Sequence, residues 1–186
     1  MIVICTTQLI DEEKRREERL ILESTTDKLT HCFNRRAYEN DLHSYPDAPT
    51  DDDFVFVSLD VNGLKAVNDT LGHSAGDEML KGVARCMKKC FGRWGKIYRI
   101  GGDEFAIILS ADSNRLEGIK ETFEETINSW SGKIVKNLSV SCGYVTKKEY
   151  PDSTVAEMAK IADDRMYEAK AEHYRQTGVS REFHIE

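Results

Sequence analysis

With 186 residues, a net charge of −7 and 40% hydrophobic side chains, the chain is long enough for one domain with a well-buried core. Its acidity argues against nonspecific nucleic-acid binding, which calls for a basic face, and no apolar run reaches the ~20 residues that cross a bilayer. Residues 2–10 are partly apolar but lack the basic start and small-residue cleavage site of a secretory signal, so a cytoplasmic location is expected.

Residues 11–19 are wholly charged and balanced in sign, suited to an exposed helix laced with i,i+4 pairs. Ser24-Thr25-Thr26-Asp27 makes a helix stop, so residues 5–25 are predicted as a connecting helix, with the charged stretch breaking any coiled-coil seam. A helix is predicted over 34–44. Phe54-Val55-Phe56-Val57-Ser58-Leu59 is an almost continuous apolar run, as in a central strand buried on both faces. A short helix follows over 62–70, and a longer one over 77–91, where Leu80, Val83, Met87 and Cys90 recur at helical spacing. Residues 96–100 and 104–110 are the arms of a hairpin turning at Gly101-Gly102. Ile119, Phe123, Ile127 and Trp130 mark another amphipathic helix. Leu138, Val140, Cys142 and Tyr144 alternate with Ser139, Ser141 and Gly143 as a strand does, and a last helix is predicted from Thr154 to His173. Strands and helices mix without strict βαβ repetition, which favours an α+β fold: a mostly antiparallel, ferredoxin-like sheet flanked by helices.

Five cysteines, odd in number and without CxxC spacing, read as buried free thiols, although Cys86 and Cys90 lie four apart on one helix, as half of a zinc site would.

Three acid-bearing segments carry the chemistry. Asp60 ends the buried strand, where the chain leaves the core, and Asp103 and Glu104 follow the glycine pair. If the two strands are neighbours, Asp60 and Asp103 converge, and paired carboxylates beside backbone oxygens suit Mg²⁺ completed by phosphates. Taken singly, each acid is also an ordinary solvated turn residue. Between them, Asn68 and Asp77 offer an amide and a carboxylate able to read guanine, whose N1-H and N2-H₂ a carboxylate accepts. Lys65 offers a point charge to phosphate. The local alternative is that Asp77 caps the helix it opens and Asn68 bonds nearby backbone.

The joint order of these blocks strongly resembles the GGDEF family, the diguanylate cyclases, which make cyclic di-GMP from two GTP. The likeness runs from Asp27 to Arg175. It rests on Asp27-Lys28-Leu29-Thr30 with Asn34-Arg35, the block from Asp60 to Asp77, Gly101-Gly102-Asp103-Glu104-Phe105, and Met166-Tyr167-Glu168-Ala169-Lys170. The resemblance implies a nucleotidyl-cyclase-like domain over 27–186 behind a linker helix over 1–26. It implies Mg²⁺ (or Mn²⁺) at Asp60, Asp103 and the Val61 carbonyl. Glu104 would assist the metal or deprotonate the attacking 3′-hydroxyl. Asn68 and Asp77 would contact guanine, and Lys65, Lys170 and the amides near Gly63 and Leu64 the β- and γ-phosphates. The Gly101-Gly102 turn would let the backbone pass close to the nucleotide. One domain binds one GTP in that family, so a two-fold homodimer is expected for turnover, with an upstream sensor that in a full-length protein can be membrane-tethered. The alternative is a catalytically weak or inactive GGDEF domain that binds GTP and signals through a partner.

The chain departs from the family pattern at several points. Asn62 replaces a frequent second aspartate, Leu64 a phenylalanine, and His31-Cys32 the usual Gly-Leu, a change expected to bear on packing. Tyr174 holds a usual arginine position, with Arg175 one residue later. Gly92 and Gly95 stand where many relatives carry an Arg-x-x-Asp product-inhibition pair, so weak or absent feedback by that route is expected.

Overall fold

The computed structural model describes residues 14–16, 22–45 and 51–177. Of the expected connecting helix, residues 14–16 and 22–25 are helical and the rest lies outside the described residues. The compact part orders as β1 (Phe33–Asn34), α1 (Arg35–Ser44), β2 (Phe54–Val61), α2 (Leu64–Leu71), α3 (His73–Phe91), β3 (Gly95–Arg99), β4 (Glu104–Ser110), α4 (Ser113–Asn128), β5 (Val140–Thr146) and α5 (Val155–Thr177). The five strands form one sheet in the order β1-β3-β4-β2-β5. Only β1 and β3 pair in parallel; the other neighbours are antiparallel. The expected mostly antiparallel α+β sheet is what forms.

Strand β2 explains the layering. All eight of its residues are buried, because its two faces meet different helices. Val55, Val57, Leu59 and Val61 join a core with Met79, Val83, Met87 and Phe91 of α3 and Leu116, Ile119 and Phe123 of α4. Phe54 and Phe56 join a second core with Ala37 of α1 and Met158 and Ala162 of α5. The same alternation carries Ser58 and Asp60 toward α5, and Ser58 Oγ donates to Asp163 Oδ1 at 3.2 Å. Helices bury the sheet on both sides, and Asp60 lies buried near the C-terminal end of the interior strand β2.

Two expectations change. Helix α3 begins at His73, not 77, because Gly72, at φ +82°, breaks the chain between α2 and α3 and lets α3 start at once. Asp77 therefore sits in the second turn and does not cap the helix. In β5 the more deeply buried face is the small-residue one, Ser141, Gly143 and Val145, while Val140, Cys142 and Tyr144 are half-buried. Helix α5 lies directly on that face: a Cβ at Gly143 would collide with the backbone of Ala162 and Met166.

The Asp27–Cys32 turn reports on the leading motif. Asp27 Oδ1 accepts from Thr30 N (2.8 Å) and Thr30 Oγ1 (2.6 Å), and Lys88 Nζ donates to the Thr30 and His31 carbonyls at 2.9 and 2.8 Å. His31 adopts φ +55°. The His31 departure thus bears on backbone conformation, since glycine holds this left-handed angle without strain; Cys32, 2% exposed, bears on packing. Cys86 and Cys90 are buried free thiols facing Thr126 of α4.

The contact at Gly143 sets a stability test. Gly143→Ala should lower stability by at least about 1–3 kcal/mol, the cost of overpacking. Gly118→Ala, on an exposed position of α4 with open space around it, should raise it by up to about 1 kcal/mol through helix propensity. Urea denaturation of the two variants measures both.

Candidate active site

The candidate site is where β2, the β3–β4 hairpin, the start of α2 and the late part of α5 meet. In the β2–β4 register Asp60 pairs with Glu104, and directly opposed residues share a face, so both project on the α5 side. The Val61 amide donates to the Asp103 carbonyl at 3.0 Å, and the Ile100 amide to the Glu104 carbonyl at 2.9 Å. The acid closing the buried strand and the acids following the glycines are thus adjacent, as expected from the sequence.

The glycine pair shapes the turn through space and not through an unusual backbone angle. Neither has positive φ. A Cβ on Gly101 would stand 2.8 Å from Glu104 Oε2, so Gly101 leaves room for that carboxylate; Gly102 has nothing within 4 Å of its missing Cβ. Steric room decides the pair, not backbone freedom.

Asp60 is 3% exposed. Its Oδ1 is buried without a hydrogen-bond partner, and Lys170 Nζ of α5 lies 2.6 Å away in ionic contact. Burial pushes the Asp60 carboxyl up to about 6; Lys170 opposes the rise, and the charges of Asp103 and then Glu104 add to it. Among the described residues no three His, Cys, Asp or Glu side chains form a ready metal cage. The donor set still fits a hard cation that takes few protein ligands: a buried, hydrogen-bond-free carboxylate oxygen in a field of two further carboxylates.

Beyond β2 the chain makes a second cluster. Asn62, 3% exposed, donates through Nδ2 to Ser139 Oγ and accepts at Oδ1 from Ser141 Oγ, each at 3.0 Å. It fastens the loop to β5, and both ends of its amide are satisfied. Gly63, at φ +76°, opens α2 without a side-chain cap, leaving the first-turn amides around Gly63 and Leu64 with no side-chain acceptor. Lys65 is exposed three residues before Asn68, on the same helix face. Asn68 Oδ1 is buried and unpartnered, pressed where a Cβ on Gly76 would sit. An unpaired buried acceptor costs about 1–3 kcal/mol, and exposed Asp77 follows Gly76 directly. Asn68 thus packs against α3 at Gly76, one residue before Asp77, and Asp77 does not cap the helix.

At the far end, Arg175 pairs with Glu172 on the exposed surface. Five residues along a helix rotate it about 140° from Lys170, whereas Tyr174, at i+4, stays on the Lys170 face. Arg175 thus lies off the Lys170 face of the helix.

Two residues went unassigned in the sequence. Arg99 donates to Asp27 Oδ1 at 3.1 Å and to the Gly102 carbonyl at 2.7 Å, tying the leading motif to the hairpin turn. Burial raises the Asp27 carboxyl, but its Thr30 hydrogen bonds and the Arg99 guanidinium hold it below the usual carboxylate range. Glu78 accepts from three successive amides, Lys133, Ile134 and Val135, each at 2.8 Å, anchoring that loop to α3 beside Asp77. The position of Arg99 directly before Ile100-Gly101-Gly102 was the available signal for the first; nothing local pointed to the second.

Comparison with known proteins agrees with this architecture. The profile of the family described as "Diguanylate cyclase, GGDEF domain" matches residues 24–176, and the chain belongs to the GGDEF family. Among relatives, the Escherichia coli (strain K12) protein described as "Probable diguanylate cyclase DgcI" is 35% identical over 145 residues, covering 77% of this chain and 30% of its own length. From the same organism, "Cyclic di-GMP phosphodiesterase PdeR" is 32% identical over 174 residues, covering 91% of this chain and 26% of its own length. The chain thus spans under a third of either relative. Among solved structures, the coiled coil and GGDEF domain of DgcB from Caulobacter crescentus, in complex with c-di-GMP, superposes with a TM-score of 0.73 at 22% identity, covering 91% of this chain and 93% of that one.

The buried Asp60 sets a pH test on the metal-free protein. Its folded value, about 6, lies above the ordinary 3.8, so its contribution to stability is fully present below about pH 4 and is lost as pH rises through about 6. Asp60→Asn should remove that loss, and its stability relative to the parent should climb between pH 4 and 7 by roughly 2–3 kcal/mol. Urea denaturation across that range in a chelating buffer measures the climb; a flat difference would contradict it.

Proposed function

We propose that this chain is the catalytic domain of a diguanylate cyclase, condensing two GTP into cyclic di-GMP with release of pyrophosphate. The observation that carries the reading is the buried Asp60 carboxylate, paired with Lys170, held beside Asp103 and Glu104. A divalent cation (Mg²⁺ or Mn²⁺) bound by Asp60, Asp103, the Val61 carbonyl and Glu104 would neutralise the triphosphate and polarise the α-phosphate.

The chain's own groups account for the rest. The uncapped amides at Gly63 and Leu64 receive phosphate oxygens at the positive end of α2, with Lys65 and Lys170 supplying charge. Asn68 offers guanine an acceptor that already lacks a partner, and Asp77 accepts from the N1-H and N2-H₂ edge. Open space at Gly102 admits the nucleotide close to the backbone. Glu104 stands where the proton of the attacking 3′-hydroxyl is to be taken. The 3′-oxygen bonds to the α-phosphorus of the partner GTP as the bond to pyrophosphate breaks. One domain presents one such site, so a two-fold dimer brings the two substrates face to face.

A second reading, a GTP-binding signalling module without turnover, draws on Asn62 and Tyr174 standing where the family carries an acid and an arginine. Incubation with GTP and Mg²⁺, with cyclic di-GMP resolved by chromatography, separates the two. Turnover per subunit should rise steeply with protein concentration, and Asp103→Asn should lower it by about 10²–10³-fold, as loss of an electrostatic catalytic group does. Silence from a verified dimer that still binds GTP would favour the module.

Gly92 and Gly95 offer no side chain to hold the product's guanine or phosphate, and the local backbone leaves no room for one. A Cβ at Gly92 would strike the Lys88 carbonyl, and one at Gly95 the Ile108 carbonyl. Cyclic di-GMP added at rising concentration should therefore give no tight noncompetitive inhibition; such inhibition, abolished by changes at Arg93, would overturn this.

A further inference from the structure

Asp60 needs a positive charge, and the structure shows which one it has. Of the arginines around the acids, Arg35 is engaged with Glu39 at 2.8 Å, and Arg99 with Asp27 and the Gly102 carbonyl. Lys170 instead lies 2.6 Å from Asp60 Oδ1. That atom has no hydrogen-bond partner and is inaccessible to solvent. The Asp60 side chain is 5% exposed and that of Lys170 22%, so the carboxylate is fixed while the ammonium, on a four-carbon stem, keeps a path to water.

We propose that Lys170 is the resident counter-ion of Asp60 in the metal-free protein. It competes with the divalent cation for one oxygen and yields that oxygen when a polyphosphate draws it away. The inference rests on the metal-site reading above and adds an order to it. Mg²⁺ sits about 2.0–2.1 Å from its oxygens, so cation and ammonium cannot share Oδ1 without like charges in near contact. Metal alone must displace Lys170 from its carboxylate partner and offers it no anion in return. Metal arriving with a triphosphate offers Lys170 phosphate oxygens in exchange. Metal and nucleotide therefore favour one another, and by linkage each strengthens the other equally. The acids are kept neutralised until substrate arrives, which disfavours a metal-loaded but substrate-free site.

The test is Mn²⁺ binding to the whole chain without nucleotide, by electron paramagnetic resonance and calorimetry, on the parent, K170M and K170R. Removing the competing charge should tighten Mn²⁺ binding by about tenfold or more in K170M, roughly 1.4 kcal/mol, while K170R, which keeps the charge, stays near the parent. Circular dichroism verifies folding, and K170Q carries the same expectation if K170M unfolds. D60N in the K170M background should abolish the tight site. Equal or weaker Mn²⁺ binding in K170M, with D60N still abolishing it, overturns the competition and leaves the metal site standing. Absence of Mn²⁺ binding in all variants, or binding indifferent to D60N, overturns both.

Discussion

The molecule turns on one constraint: a carboxylate at the end of a strand that has no water on either face. Strand β2 is buried along its whole length because α3 and α4 cover one side and α1 and α5 the other. The alternation that sends Phe54 and Phe56 into the α5 core sends Asp60 the same way. A burial that would be harmless for valine becomes, for aspartate, a demand for positive charge, met here by Lys170. The neighbouring acids sharpen that demand, since the β2–β4 register fixes Glu104 opposite Asp60 and the Val61–Asp103 bond fixes the turn.

Around that demand the other parts serve as alignment. Arg99 holds the Gly102 carbonyl with one edge and Asp27 with another. The hairpin that bears Asp103 is thereby fastened to the turn through which the chain arrives, and Lys88 fastens that turn to α3. Glu78 and Asn62 do the same on the other side, gripping the loop at 133–135 and strand β5. These are satisfied polar contacts. The groups assigned to ligand are held more loosely: Asn68 Oδ1 has no hydrogen-bond partner, and Asp60 Oδ1 rests on the Lys170 ammonium, the division expected where folding and binding compete for the same polar groups.

The sequence made the scaffold and the identity of the acids readable, because buried strands and amphipathic helices write their periods directly into the residue order. It did not reveal partnerships between distant elements. Nothing in Met166 to Lys170 says that the lysine will rest on Asp60; that depends on how α5 crosses β2. The buried face of β5 was also unreadable, because hydrophobicity marks the face that has side chains to bury, and here the closest packing requires their absence at Gly143. Asp77 looked like a helix cap because Gly72, five residues earlier, gave no sign that it would start the helix itself.

The acidity of the chain also finds its place. A net charge of −7 should repel GTP, yet on the proposed reading the acids that would hold the cation lie apart from the amides offered to phosphate. They gather at the hairpin, while Lys65 and the open amides of α2 lie past Asn62 on the other side of the strand end. Lys170, reaching in from α5, stands between the two regions, in contact with the acidic one. A triphosphate spanning that boundary would meet amides and ammonium groups with its outer phosphates and the carboxylates only through a shared cation. On the proposed reading, the polarity of the site would fix which end of the nucleotide faces which element before any base contact is made.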